Sequence, residues 1–160
     1  MRRLAAAALG LLLGGCITDH PIALELRPPR LPDGGPDVPA EVVAHEVRLY
    51  RIAEDEECPT LAAVASAAPF GELGHAQSFE ASEGMGDAIG EVPPGRYALA
   101  ALSRDGDCGV HLFGCRELEV GATPFQTFVV ELEPVTHPAG CGTCRSCAGG
   151  ACAPIDAVCR

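Results

Sequence analysis

Val92-Pro93-Pro94-Gly95-Arg96-Tyr97-Ala98-Leu99-Ala100-Ala101-Leu102 is the stretch that decides the fold. Proline has no backbone donor and a fixed φ, so Pro93-Pro94 cannot sit inside a sheet ladder, and Gly95 completes a tight turn. The residues that follow alternate, with Tyr97, Leu99 and Ala101 on one face, as a strand laid on a core requires. Asp105-Gly106-Asp107 then turns the chain into a second run, Val110 to Val120. Gly121-Ala122-Thr123-Pro124 turns it into a third, Gln126 to Glu133. Successive strands spaced about 8–12 residues apart argue an antiparallel sandwich.

Upstream, Val43, Val47, Leu49, Tyr50 and Ile52 make a β-rich run from Val42 to Ala53, its alternation broken once as a bulge would break it. After the acidic loop Glu54 to Glu57 comes Cys58-Pro59-Thr60, where Thr60 is placed to cap a short Ala-rich helix over residues 61–68. Residues 71–90 hold five glycines and weak strand candidates at 75–80 and 87–92. Residues 28–40 show no hydrophobic period, and their prolines block helix and ladder alike, as in a tether. The preceding Pro21 to Leu26 reads either as a short strand or as part of that stalk. The expected architecture is therefore all-β: a small antiparallel β-sandwich over residues 42–133 on a Pro-rich stalk, 16–41, with an irregular disulfide-rich tail, 134–160.

The aliphatic-Pro-Pro-Gly-x-Tyr pattern of Val92 to Tyr97, followed by a strand, an acidic turn and another strand, resembles transthyretin-like and carboxypeptidase-regulatory-like β-sandwich domains of bacterial surface proteins. The resemblance covers residues 42–133. It implies that Tyr97 is a packing residue with no chemical role. The helix after Cys58 and the Cys-rich tail depart from that family's pattern.

The N-terminus has the layout of an export signal: Arg2-Arg3, then the apolar run Ala5 to Leu13, too short to span a bilayer. Leu13-Gly14-Gly15-Cys16 resembles the lipobox of bacterial lipoproteins, which implies a signal peptide over residues 1–15, cleavage before Cys16 and acylation of Cys16 with chains such as palmitate. Several acyl chains anchor stably, so the body needs no membrane-binding face. Thr18, in place of Asp, resembles lipoproteins forwarded to the outer membrane. Removing residues 1–15 takes away two of 11 Arg and none of 22 acidic residues, leaving about −13. That charge excludes nucleic acid as a partner. Lys, Asn and Trp are absent beside 19 Gly and 14 Pro, a composition similar to small lipoproteins of GC-rich soil bacteria such as myxobacteria.

Nine cysteines remain to be read. The tail run Cys141-x2-Cys144-x2-Cys147-x4-Cys152-x6-Cys159 misses the ferredoxin spacing by one residue, and its Pro does not follow the fourth Cys directly. It also lacks the two separated thiolate pairs that a zinc knuckle needs. Cys141-Gly142-Thr143-Cys144 is similar to a thioredoxin-type pair, but Arg145 to Gly150 is a poor helix to lower a thiol pKa. An exported, Gly-rich stretch without a core calls instead for disulfide staples. With Cys16 acylated, three cysteines (Cys58, Cys108, Cys115) lie in the sandwich and five in the tail. Both counts are odd, so full intramolecular pairing ties tail to sandwich. Residues 108–115, if extended, span roughly 23 Å, beyond disulfide reach. Cys58 then pairs with Cys108 or Cys115 and the other holds the tail, unless a doubled-back loop joins Cys108 to Cys115 and Cys58 reaches the tail.

Other motifs fail on register. Gly84 to Gly90 has one residue too many for a dinucleotide fingerprint, and Asp105-Gly106-Asp107 departs from a calcium loop at Gly109, Val110 and Glu117. His45 and His111 lie in strands, where hydrogen-bonded structural roles prevail, and no nucleophile–base arrangement accompanies them. The expected function is a cell-envelope lipoprotein acting as a non-catalytic interaction or structural module. It would need no cofactor, attach to the membrane through its lipid, and meet an envelope protein or glycan. The alternative is a periplasmic thiol-redox or metal-binding protein using the tail cysteines.

Overall fold

The computed structural model describes residues 20–65, 72–80, 88–121, 126–136, 140–141, 145–148 and 151–154. Cys16, Cys144, Cys159, the Gly84 to Asp87 part of the glycine loop and the end of the expected helix lie outside them. Ten strands and one short helix are present among the described residues. Strand β1 is His20–Arg27, β2 Val42–Arg51, β3 Glu72–Glu80, β4 Ala88–Val92, β5 Gly95–Asp105 and β6 Val110–Val120. Then follow β7 Gln126–Glu131, β8 Glu133–Pro134, β9 Arg145–Ala148 and β10 Ala151–Pro154; helix α1 is Leu61–Ala65.

A five-stranded antiparallel sheet runs β3-β2-β5-β6-β8, and a three-stranded sheet runs β4-β1-β7. The fold is the expected all-β sandwich, with one exception to its antiparallel rule: β1 and β7 pair in parallel. Between the sheets, Ile22, Leu24 and Leu26 of β1 meet Val47 and Leu49 of β2, Tyr97, Leu99 and Ala101 of β5, and Leu112 and Leu118 of β6. The predicted inward face of β5 is thus the observed one. Its other face, Ala98, Ala100 and Leu102, is buried as well, beneath Ile52 and Val64. Thr60 caps α1 as expected, its Oγ1 accepting from the Ala63 amide at 3.3 Å, and this one-turn helix closes a second small core over the sheet's outer face.

Of the two readings left open for Pro21 to Leu26 within the expected stalk, 16–41, the chain takes the strand. Ile22, Leu24 and Leu26 are 1–4% exposed, because the alternating apolar residues of β1 bury one side in the sandwich. Residues 28–40 then fold back on themselves. Arg30 bridges Pro36, the Leu31 amide donates to the Gly35 carbonyl at 2.8 Å, and Val38 packs on the core. Prolines 28 and 29 end the ladder without preventing the strand before them, since neither lies within it.

The chain 126–134 changes sheets. It pairs with β1 through Glu131, and then Glu133 and Pro134 pair with Phe113 and Leu112 of β6. At the crossing Gly114 lies so close beneath Glu131 that a Cβ would collide with the Glu131 carbonyl and stand 2.9 Å from Val130 Cγ1. Gly114→Ala is expected to cost about 1–3 kcal/mol through the backbone shift it forces. Urea denaturation checks this, and an unchanged midpoint would show that the crossing is looser than described.

His45 and Ser103 face each other across β2 and β5, Nδ1 and Oγ 2.8 Å apart, with His45 only 2% exposed. Burial pushes the imidazole below its ordinary value of 6.5. The unfolded chain then takes up a proton the native one resists, so this contribution to stability is complete above about pH 6.5 and drains as pH falls below it. A His45→Gln variant should lose less stability than the parent on acidification from about pH 7.5 to 5.

Candidate functional site

Two places assemble groups with binding or chemical capacity. The first is a groove of about 770 Å³ at the fork where β7 leaves β6. Phe113 and Val129 supply apolar surface, Thr60 a hydroxyl, and Arg27, Arg116 and Glu131 charges of both signs. Beyond Phe113, β6 has no second strand partner among the described residues. The gap to β7 is spanned instead by the Arg116 guanidinium, whose Nη1 donates to the Val129 carbonyl at 3.0 Å. Arg27 is held by Glu25 at 2.7 Å and Glu131 at 3.6 Å, exposed pairs that add little stability and mainly orient the side chains.

One wall of the groove is covalent. Cys58 and Cys115 form a disulfide with Cα atoms 5.9 Å apart, pinning the loop after β2 to β6. The same loop is gripped by Arg96, whose Nη1 donates to the Ala53 and Glu54 carbonyls while Nη2 pairs with Glu117 at 2.6 Å. The acidic run Glu54 to Glu57 is therefore tied down from below. A bridge closing 57 residues contributes about 4 kcal/mol in the chain-entropy model.

The second place is the corner where the tail meets the β5–β6 turn. Asp105 shapes it: Oδ1 accepts from the amides of Asp107 at 2.9 Å and Gly109 at 2.7 Å, and Oδ2 lies 2.8 Å from His111 Nε2. The His111 contact first, then those amides, hold the Asp105 carboxyl below its usual range. The calcium-loop resemblance thus resolves into a hairpin turn whose acid is already occupied. Cys108 ends it in the left-handed region, φ 65°, a conformation that favours glycine or asparagine. Its sulfur bonds Cys147 of β9, Cα atoms 5.6 Å apart. The tail is therefore docked on the sandwich, and the pairing is the first of the two arrangements allowed by parity and strand length. Cys141, 8% exposed, is disulfide-bonded too. Cys152 is paired in backbone register with Cys147 across the β9–β10 hairpin. The sulfurs of Cys108, Cys141 and Cys147 lie within 4.8 Å of one another, near enough for a metal, but zinc takes thiolates and these are spent in disulfides.

Beneath this corner is a cluster that sequence reasoning missed. Arg104, 0% exposed, donates from Nε to Glu46 at 2.9 Å and from Nη1 to the Cys108 carbonyl at 2.9 Å. Arg48 donates from Nε to the same carboxylate at 2.6 Å and from Nη1 to the Val64 carbonyl at 2.8 Å. Burial works against the Arg48 charge, but Glu46 and Tyr50 outweigh it and raise its pKa. Two guanidiniums share one carboxylate, and Arg104 Nη2 has no hydrogen-bond partner. The available signal was Glu46-x-Arg48 inside one apolar strand and Arg104 near the end of another.

No family model and no curated protein matches the sequence. Among solved structures, the fold is similar to a proposed polysaccharide-binding protein (DUF1812) from Bacteroides thetaiotaomicron. The identity is 11% and the TM-score 0.48, over 71% of this chain and 47% of that one. It is also similar to the fimbrial anchor protein Mfa2 from Porphyromonas gingivalis, with 14% identity and a TM-score of 0.46 over 72% of this chain and 50% of that one. The chain spans about half the length of either structure. At such identities the likeness is one of β-rich architecture alone.

Proposed function

We propose that the chain is a lipid-anchored cell-envelope protein whose sandwich serves as a non-catalytic interaction or structural module. The observation that carries this reading is the groove at the β6–β7 fork. Its mixed polar and apolar lining sits on a frame pinned by Cys58–Cys115, so little ordering cost opposes a partner that enters it. An envelope protein or a glycan is the partner class. The transthyretin-like resemblance of Val92 to Tyr97 supports the same reading, since Tyr97 packs in the core and leaves the edges and loops to do the binding.

Anchoring rests on the lipobox-like Leu13-Gly14-Gly15-Cys16, with the outer membrane as destination. Cys16→Ser is expected to abolish metabolic acyl labelling and to move the protein from detergent extracts to soluble fractions. Persistent labelling in the variant would refute acylation at Cys16. The groove is tested by a photo-crosslinking residue in place of Thr60 in the living cell, against the same residue at Asp37. Crosslinked envelope protein or glycan from position 60, and none from 37, is the expected result. Equal yields from both, or none from 60, would refute the groove as the binding surface.

A further inference from the structure

Three sulfurs crowd the corner where the tail meets the β5–β6 turn: those of Cys108 and Cys141, both buried, and of Cys147, exposed, all within 4.8 Å of one another. The geometry points to a thiol-exchange site here, at which a small external thiol attacks Cys147 and Cys141 then captures the cysteine set free.

The two ends of the Cys108–Cys147 bond are unequal in access. Cys108 is 0% exposed, so an incoming thiolate reaches only the Cys147 sulfur. Attack at Cys147 expels Cys108 as a thiolate, whose sulfur lies within 4.8 Å of the Cys141 sulfur. Access thus selects the direction of attack, and proximity selects the second acceptor.

The exchange balances without oxidant or reductant. In the first step the external thiolate bonds to Cys147 Sγ, the Cys108–Cys147 bond breaks, and its electron pair leaves on Cys108 Sγ. In the second, Cys108 Sγ bonds to Cys141 Sγ, the existing disulfide of Cys141 breaks, and the sulfur that Cys141 releases takes the electron pair and a proton from water. One thiol enters and one emerges. The tail stays tethered through Cys141 while β9, now bearing the external group on Cys147, is unclamped from the turn. By contrast, Cys58–Cys115 has no third sulfur within reach among the described residues.

The oxidised full-length chain, treated with limiting reduced glutathione, alkylated with N-ethylmaleimide and digested without reduction, tests this. Expected are glutathione on Cys147, a new Cys108–Cys141 peptide, and an intact Cys58–Cys115 bridge, with adduct at Cys147 exceeding that at Cys58 or Cys115 by about tenfold or more. Glutathione on Cys108, alkylated Cys108 without the new peptide, or prior opening of Cys58–Cys115 would each overturn the proposal. Cys147→Ser supplies an arm that needs no added thiol: Cys108 should be recovered bonded to Cys141, and its recovery as the alkylated thiol would count against capture. Should that variant not fold, the glutathione arm on the native chain decides.

Discussion

Replacing Glu46 by Ala should destabilise the folded chain by about 3–5 kcal/mol, because it strips two buried guanidiniums of the one carboxylate that compensates them. Glu46 accepts from Arg48 at 2.6 Å and from Arg104 at 2.9 Å, and none of the three is more than 9% exposed. Coulomb attraction in the native cluster barely offsets the desolvation of three charges, so the cluster itself is a poor source of stability. Removing a single member is another matter, since the remaining charges stay buried without relief. Arg104 already has one unpartnered nitrogen, and that loss of hydrogen bonding costs about 1–3 kcal/mol. It follows that replacing all three residues together by apolar ones of similar volume should be far milder than Glu46→Ala alone, and neutral or better in the favourable case. Urea denaturation under non-reducing conditions separates the two. A single-variant loss below about 1 kcal/mol would mean that water reaches the cluster.

What could be read from the chain, and what could not, follows from how far each feature reaches along it. Strands β2, β5 and β6 announce themselves locally, through alternation and the Pro93-Pro94-Gly95 and Asp105-Gly106-Asp107 turns. Strand β1 does not. Its apolar residues alternate too, but the prolines after Arg27 speak for a tether, and its parallel partner β7 lies about a hundred residues away, beyond any local pattern. The buried charges escaped for a similar reason: a charged residue is read as a surface residue until its partners are known, and Arg104 finds Glu46 only through the register Glu46↔Leu102. Cysteine parity and strand length narrowed the pairing to a few arrangements, and register selects among them. The end of β2 lies beside Tyr97 and, across β5, Leu118, which brings Cys58 to the Cys115 end of β6. Cys108 sits at the opposite end, beside the start of β2, and so is left for the tail.

Tyr97→Ala is the second substitution expected to have a large effect, about 3–5 kcal/mol, because it removes the largest inward-facing side chain of the central strand from the core between the sheets. The ring is 2% exposed and packed among residues of both sheets, so the cavity left behind would sit where β1 and β6 face each other. Its hydroxyl donates to the Pro93 carbonyl at 2.8 Å, tying the strand back to the turn that starts it. Tyr97→Phe keeps the ring and removes the hydroxyl's bond to Pro93, and should cost only about 0.5–1.5 kcal/mol. The ratio of the two losses therefore separates packing from turn fixation. On a chain of this size the alanine variant should melt roughly 10 °C or more below the parent. If Phe and Ala variants lose equally, the hydrogen bond to Pro93 is the dominant contribution and the cavity argument fails. If neither moves, the ring does not fill the core between the two sheets.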